Sequence, residues 1–245
     1  MLAPLFLPMC RRSALGLALA VGLFSQPAGS QALVLDEGTF SLFVNGERIG
    51  REDFSLRAGR GADGGYVAQG NLLNGDLRRS VVLTVDSLGA PLRFQLDTRE
   101  GGKVVASIAG QLERQVWSGR VVRAGGESAR EFRLPQDTFI AEMGVVHQLW
   151  LVLRLGEGRP ITLLAPSGPT QVRVIAEEQA PDRVTIGLRE FVARRWVLRR
   201  LDDSAVLWEL WTDPAGRLLK AVHRESALEA LRDDPPAETL GAPRP

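Results

Sequence analysis

The sequence predicts a mainly β protein: one large, curled antiparallel sheet, a half-barrel, wrapped around one apolar α-helix. Three observations predict it. Apolar and polar residues alternate over most of the chain, the period-2 signature of half-buried strands. Asn-Gly and other tight-turn sequences separate these runs at hairpin spacing, which implies antiparallel neighbours and not parallel βαβ units. One stretch between Asp137 and Gly156 drops the alternation and takes up helical spacing.

Residues 40–44 read as a first strand, and Asn45-Gly46 as a type I′ turn, because both residues tolerate positive φ; residues 49–56 return. Gly59, Gly61, Gly64 and Gly65 mark 57–65 as a loop, after which 66–72 is again extended. Asn74-Gly75 repeats the turn chemistry, and 79–85 places Val81, Leu83 and Val85 on one face. The chain turns at 88–91 and returns at 92–96; 103–109 and 111–122 form a further pair, and 129–134 closes the first meander.

Phe139, Met143, Val146, Trp150 and Leu153 then fall at spacings of four, three, four and three, one face of a helix over about 138–155. Asp137 or Thr138 is its candidate N-cap and Gly156 its stop. Val145, Leu149 and Val152 widen the apolar surface, so this helix needs cover on more than one side. Strands resume at 161–164, 172–177, 183–189, 196–201, 206–211 and 218–224. Asp202-Asp203-Ser204 and Asp213-Pro214-Ala215-Gly216 are tight turns. Residues 33–232 thus read as one β-rich domain, and the proline-rich tail 233–245 as disordered.

The N-terminus carries an export pattern. Arg11-Arg12 precede an uncharged apolar run from Ala14 to Phe24, and small residues lead to Ser30-Gln31-Ala32, so 1–32 reads as a cleavable signal peptide. The apolar run before Arg11 makes Met9 the more ordinary start. The paired arginines are also a weak twin-arginine match, so the export route stays open between that and the general one. The expected compartment is the periplasm. No later segment reaches the ~20 apolar residues of a membrane-spanning helix. The single cysteine, Cys10, lies inside the signal and ahead of its apolar run, which is the wrong side for lipidation. Without it the exported chain forms no disulfide and depends on burial for stability.

The 30 basic and 29 acidic residues nearly balance, which argues against nucleic acid as a partner. The bases are almost all arginine; only Lys103 and Lys220 are lysine. No nucleophile elbow, metal-ligand spacing or phosphate-cradling loop occurs. No cofactor, metal site or catalytic residue is therefore expected. An enzyme of unrecognised type would need a concave site that sets His147 or His223 beside a carboxylate.

Two constellations remain. Arg183, Arg189, Arg194, Arg195, Arg199 and Arg200 cluster on adjacent strands, with Val184, Ile186 and Leu188 on the opposite, core-facing side. This is a solvated face, or a contact surface for anionic lipid or an envelope protein through Arg195 and Arg199. Phe139, Met143, Val146, Trp150, Leu153, Trp196 and Trp208 share an interior, which is either an ordinary core or the lining of a cavity for an apolar or lipid-like ligand.

Three stretches carry a family resemblance. The opening hairpin Phe40-Ser41-Leu42-Phe43-Val44-Asn45-Gly46-Glu47-Arg48-Ile49-Gly50, the segment Phe132-Arg133-Leu134-Pro135, and the hairpin from Trp211 to Lys220 with the Arg232-Asp233 tail resemble those of uncharacterised exported bacterial β-rich families. Those families are similar in organisation to the periplasmic lipoprotein carriers LolA and LolB. The resemblance implies an antiparallel half-barrel with an apolar interior and, as function, a non-enzymatic periplasmic binding or carrier protein. The chain departs from the carriers in having one substantial helix where they have several. A surface-acting envelope scaffold or assembly factor is the alternative.

Overall fold

The computed structural model describes residues 33–59, 64–123, 125–168 and 170–237. The expected signal peptide at 1–32 and residues 238–245 of the expected tail lie outside the described residues. Eight strands form a first meander: β1 (Val34–Val44), β2 (Glu47–Ala58), β3 (Tyr66–Asn74), β4 (Leu77–Val85), β5 (Pro91–Glu100), β6 (Lys103–Glu113), β7 (Val116–Arg123) and β8 (Gly126–Arg133). A short strand β9 (Thr138–Ile140) and the helix α1 (Leu149–Gly156) follow. The second meander is β10 (Ile161–Ala165), β11 (Thr170–Ile186), β12 (Arg189–Arg200), β13 (Val206–Thr212), β14 (Leu218–His223) and β15 (Leu228–Arg232).

All fifteen strands share one sheet, in the order β8-β7-β6-β5-β4-β3-β2-β1-β15-β14-β13-β12-β11-β10-β9. Every neighbouring pair is antiparallel except β9 and β10. β15 pairs with β1, so the two meanders join at the middle of the sheet. The outermost strands, β8 and β9, are joined by residues 134–137 alone. That connection spans at most ~19 Å, whereas fifteen strands laid flat at ~4.8 Å spacing would be about 65 Å across. The sheet must therefore curl until its edges approach, although among the described residues no ladder closes it. Across that gap Arg123 Nη2 of β7 donates to Ser167 O beyond β10 at 2.7 Å.

Strand alternation puts Phe40 and Leu42, Phe54 and Leu56, Leu83 and Val85, and Phe94 and Leu96 on the inner face, where they form one core with α1. The β11–β12 hairpin bends at an irregularity between Gln179 and Asp182. Its outer part brings Val184, Ile186 and Ala193 into a second, smaller core with Trp211 and Leu219. Val184 and Ile186 are buried as their parity requires. Leu188 is not: it stands fully exposed beside Gly187 in the hairpin turn.

The structure corrects the helix. The helix covers only residues 149–156 where 138–155 was expected. Thr138–Ile140 is a strand beside β10, and i→i+3 hydrogen bonds turn the chain at 142–145 and again at 146–151. Gln148, not Asp137 or Thr138, precedes the first turn, without a side-chain cap. The segment lies inside the curled sheet and is apolar on several sides, so its spacing reports burial and not conformation. Two further differences concern strands. β11 is continuous where two strands were expected, and β15 joins the two meanders where no strand was expected. The tail does not start as disorder: Asp233 N–H donates to Thr39 O at 2.9 Å, and Ser41 Oγ donates to Asp233 Oδ1 at 2.5 Å.

One ion pair fastens the central β1–β15 junction. Arg232 meets Asp36 through two bonds of 2.9 and 2.8 Å, and both side chains are almost wholly buried. Gly38 leaves room for it, since a Cβ there would stand 2.9 Å from Arg232 Nη2. Burial raises the Asp36 carboxyl above its ordinary value even with Arg232 against it, so the pair specifies geometry more than it adds stability. Asp36→Asn, which leaves a buried guanidinium without its counter-charge, is expected to cost about 3–5 kcal/mol in urea unfolding, and the double change to leucine at both positions less. A single-variant loss below about 0.5 kcal/mol would contradict the assignment.

Candidate functional site

The segment 141–148 is a plug between the two halves of the sheet, and beyond Ala141, whose N–H donates to Leu164 O at 3.0 Å, its backbone joins no ladder among the described residues. A buried carboxylate supplies the missing acceptors. Glu52 of β2 is 0 % exposed. Its Oε2 accepts Val146 N–H at 2.8 Å, and its Oε1 accepts His147 N–H at 2.9 Å and lies 2.5 Å from His147 Nδ1. The imidazole stacks on Phe54 and lies over Gly70 of β3, where a Cβ would come within 2.4 Å of Cε1. A second carboxylate holds the start of the plug. Glu142 accepts from Arg79 Nη2 at 3.2 Å, Ser167 N–H at 3.0 Å and Ser167 Oγ–H. Arg79 Nη1 also donates to Met143 O, and Gln148 Oε1 accepts Glu142 N–H, both at 2.8 Å.

Where this plug meets β10–β14 it leaves a cleft of about 260 Å³. Val145, Leu149, Leu163, Val172, Leu207 and Trp208 supply its apolar walls, and Arg200, Glu225 and His223 its polar ones. Arg200 is committed, by a two-point contact with Asp203 at 3.1 and 2.5 Å and a bond to Glu225 at 2.9 Å. His223 is 2 % exposed and lies edge-on to Trp208, with ring centroids 4.7 Å apart. Its Nδ1 accepts Ser226 N–H at 3.2 Å and lies 2.8 Å from Ser226 Oγ. An Nδ1 that accepts a backbone N–H leaves the proton of the neutral ring on Nε2. That Nε2 is buried and has no partner among the described residues. Burial pushes the imidazole below its ordinary pKa, with Glu225 opposing, so the ring is neutral near pH 7.

The residues singled out in the sequence separate into three places. Met143, 52 % exposed, and Trp208 line the cleft. Leu153 and Trp196 line a smaller pocket of about 180 Å³ with Arg194 and Thr212. Phe139, Val146 and Trp150 lie between, packed in the core, with Trp150 edge-on to Tyr66 at 5.6 Å. The space between helix and sheet is thus filled at its centre and open at two places. Arg195 and Arg199 are engaged within the molecule. Arg195 pairs with Glu209 at 2.6 Å, and Arg199 meets Glu177 at 3.3 Å and Ser204 O at 2.9 Å. Glu209 also pairs with Arg224; burial works to raise its carboxyl, but the two guanidiniums outweigh it and hold the value below normal.

Glu52 and Glu142 were not anticipated, and Arg200 was expected on the arginine-rich face, not in a cleft wall. Glu52 follows Arg51 and precedes Asp53 in an ordinary-looking polar stretch, and only its inward parity with Phe54 and Leu56 hinted at burial. His147 does stand beside a carboxylate, but both side chains are 0 % exposed and no substrate reaches them. Among the described residues no three or more His, Cys, Asp or Glu gather as a metal site, and no helix is long and apolar enough to cross a membrane. No protein-family model matches this chain, and no curated protein or solved structure was found similar to it.

His223 makes stability pH-dependent. Its folded-state pKa lies below the unfolded value of about 6.5, so below that pH the unfolded chain binds more protons and stability falls as pH falls. Urea unfolding at pH values from about 7.5 down to 5.5 is expected to show this loss, and His223→Phe to remove that part of the slope. A difference between wild type and variant that is constant across the range would contradict a neutral buried imidazole.

Proposed function

We propose that the protein is a non-enzymatic binding or carrier protein for an apolar or lipid-like ligand, acting in the periplasm after export and built on a half-barrel like those of LolA and LolB. The observation that supports this reading is the cleft beside Trp208: apolar walls, a polar mouth and an unfilled volume of about 260 Å³ beside a packed core. That volume lies just under the common range for small-molecule pockets, about 300–1,000 Å³. It suits a short apolar group or the end of a longer chain that leaves through the mouth. The alternative, an envelope scaffold acting through its arginine-rich face, has less support, because Arg194, Arg195, Arg199 and Arg200 are each paired with carboxylates of the same molecule.

The test uses the fluorescent apolar probe N-phenyl-1-naphthylamine with the exported form of the chain. Wild type is expected to enhance its emission saturably. Ala165→Trp, which fills the cleft from the end of β10, is expected to abolish the enhancement while unfolding within a few degrees of wild type. No saturable enhancement by wild type, or full enhancement by a folded Ala165→Trp, would overturn the proposal.

A further inference from the structure

We infer that the free edge of β8 is a contact between two copies of this chain, which pair there antiparallel about a two-fold axis and continue one sheet into the other. β8 ends the strand order of the sheet. The register assigns its hydrogen-bonding groups. Leu134 N–H donates to Gln115 O at 2.8 Å, in step with the β7–β8 pairing. Opposed residues of an antiparallel pair alternate between bonded and non-bonded, so the even-numbered residues of β8 direct their N–H and C=O groups to β7. Those of Glu127, Ala129, Glu131 and Arg133 point the other way, and among the described residues no strand takes them up. The edge is accessible. Glu127, Ala129, Glu131 and Arg133 are exposed, and so is Ser128 of the inner parity, so β8 meets solvent on both faces. The bond across the seam is made by Arg123 of β7, which reaches Ser167 O.

The side chains select the partner. A bare edge pairs with any extended chain, and charges on it restrict the choice. Two copies form bonded pairs only between residues that face outward in both. With the axis at Arg130, Glu127 stands opposite the partner's Arg133 at both ends, and Ala129 opposite the partner's Glu131. Arg133 has no ion pair within its own chain among the described residues. A shift of two residues sets Glu131 against the partner's Glu131 in one direction and Glu127 against the partner's Glu131 in the other. Like charges directly opposite are destabilising, so the charges fix one register. Arg130 lies on the axis, where two like charges oppose pairing; its Nη1 is covered by its own chain, which holds the guanidinium back from the edge. Such an edge offers about eight interchain hydrogen bonds and buries less than the roughly 1,200 Å² of a stable interface, so the dimer is weak and concentration-dependent.

The experiment is sedimentation of the exported form of the chain. Between about 1 and 500 µM, wild type is expected to pass from monomer toward dimer. Ala129→Pro removes an outward N–H that the β7–β8 ladder does not use, and proline is tolerated on such an edge. This variant is expected to melt within a few degrees of wild type and to dimerise at least about tenfold more weakly. Glu127→Lys and Arg133→Glu each set like charges opposite at both ends, and each is expected to weaken self-association about tenfold. Mixed in equal amounts, the two variants form a heterodimer in which both end pairs are again of opposite charge, and association is expected to return to within about threefold of wild type. The mixture needs no proline variant, so a misfolded Ala129→Pro leaves the inference testable. A wild type that stays monomeric throughout, a folded Ala129→Pro that dimerises as wild type does, or a mixture no more associated than its components would overturn the inference. Each of these outcomes leaves the binding function proposed for the cleft standing.

Discussion

The structure depends on one carboxylate. A sheet that curls around its own connection has to carry a stretch of irregular backbone through its interior, and buried N–H groups without acceptors destabilise a fold. Glu52 answers three donors of that stretch, the N–H groups of Val146 and His147 and the His147 ring. Charge-assisted bonds of this kind are about twice as strong as neutral ones. They tie residues 145–148 to β2, across the interior from β10, and so fix where α1 begins. Without this anchor the plug would have no reason to keep its path, and the core on both sides of it would lose its filler.

The remaining interior features follow from that path. Gly70 is required because the His147 ring lies against β3. Leu149 to Leu153 fill the centre of the curl, while Glu142, held by Arg79 and Ser167, draws the front of the plug toward β4 and the loop after β10. The cleft is what this arrangement leaves uncovered between plug and β10–β14. The pairing of Arg200 and Glu142 within the molecule is a consequence of the same packing.

Much of the architecture was legible because turn chemistry and alternation are local. Asn45-Gly46 adopts the expected positive φ at both residues. The turn between β6 and β7 was not legible in the same way: Arg114 and Gln115 take positive φ there without the side chains that favour it, so the boundary fell several residues away. The helix was overextended because a largely buried stretch carries apolar residues at several spacings, and periodicity then cannot distinguish strand, turn and helix. β15 was missed because Leu228 to Arg232 alternates for only five residues and ends in a charge, and that charge is buried against Asp36. The site divides the same way. Trp208 and Met143 were visible as apolar residues of the right parity or spacing, whereas Glu52, Glu142 and the pairing of Arg200 depend on partners far away in the chain, which no local pattern encodes.

Native-state hydrogen exchange of the Val146 and His147 backbone amides tests the anchoring role of Glu52 most directly. If the carboxylate pins the plug, these two amides open only with the fold as a whole, and their exchange free energy matches that of ladder amides in β4 and β5 such as Leu83 and Phe94. Exchange at a markedly lower free energy, with the β4 and β5 amides still protected, would show that the plug opens on its own and would contradict the account.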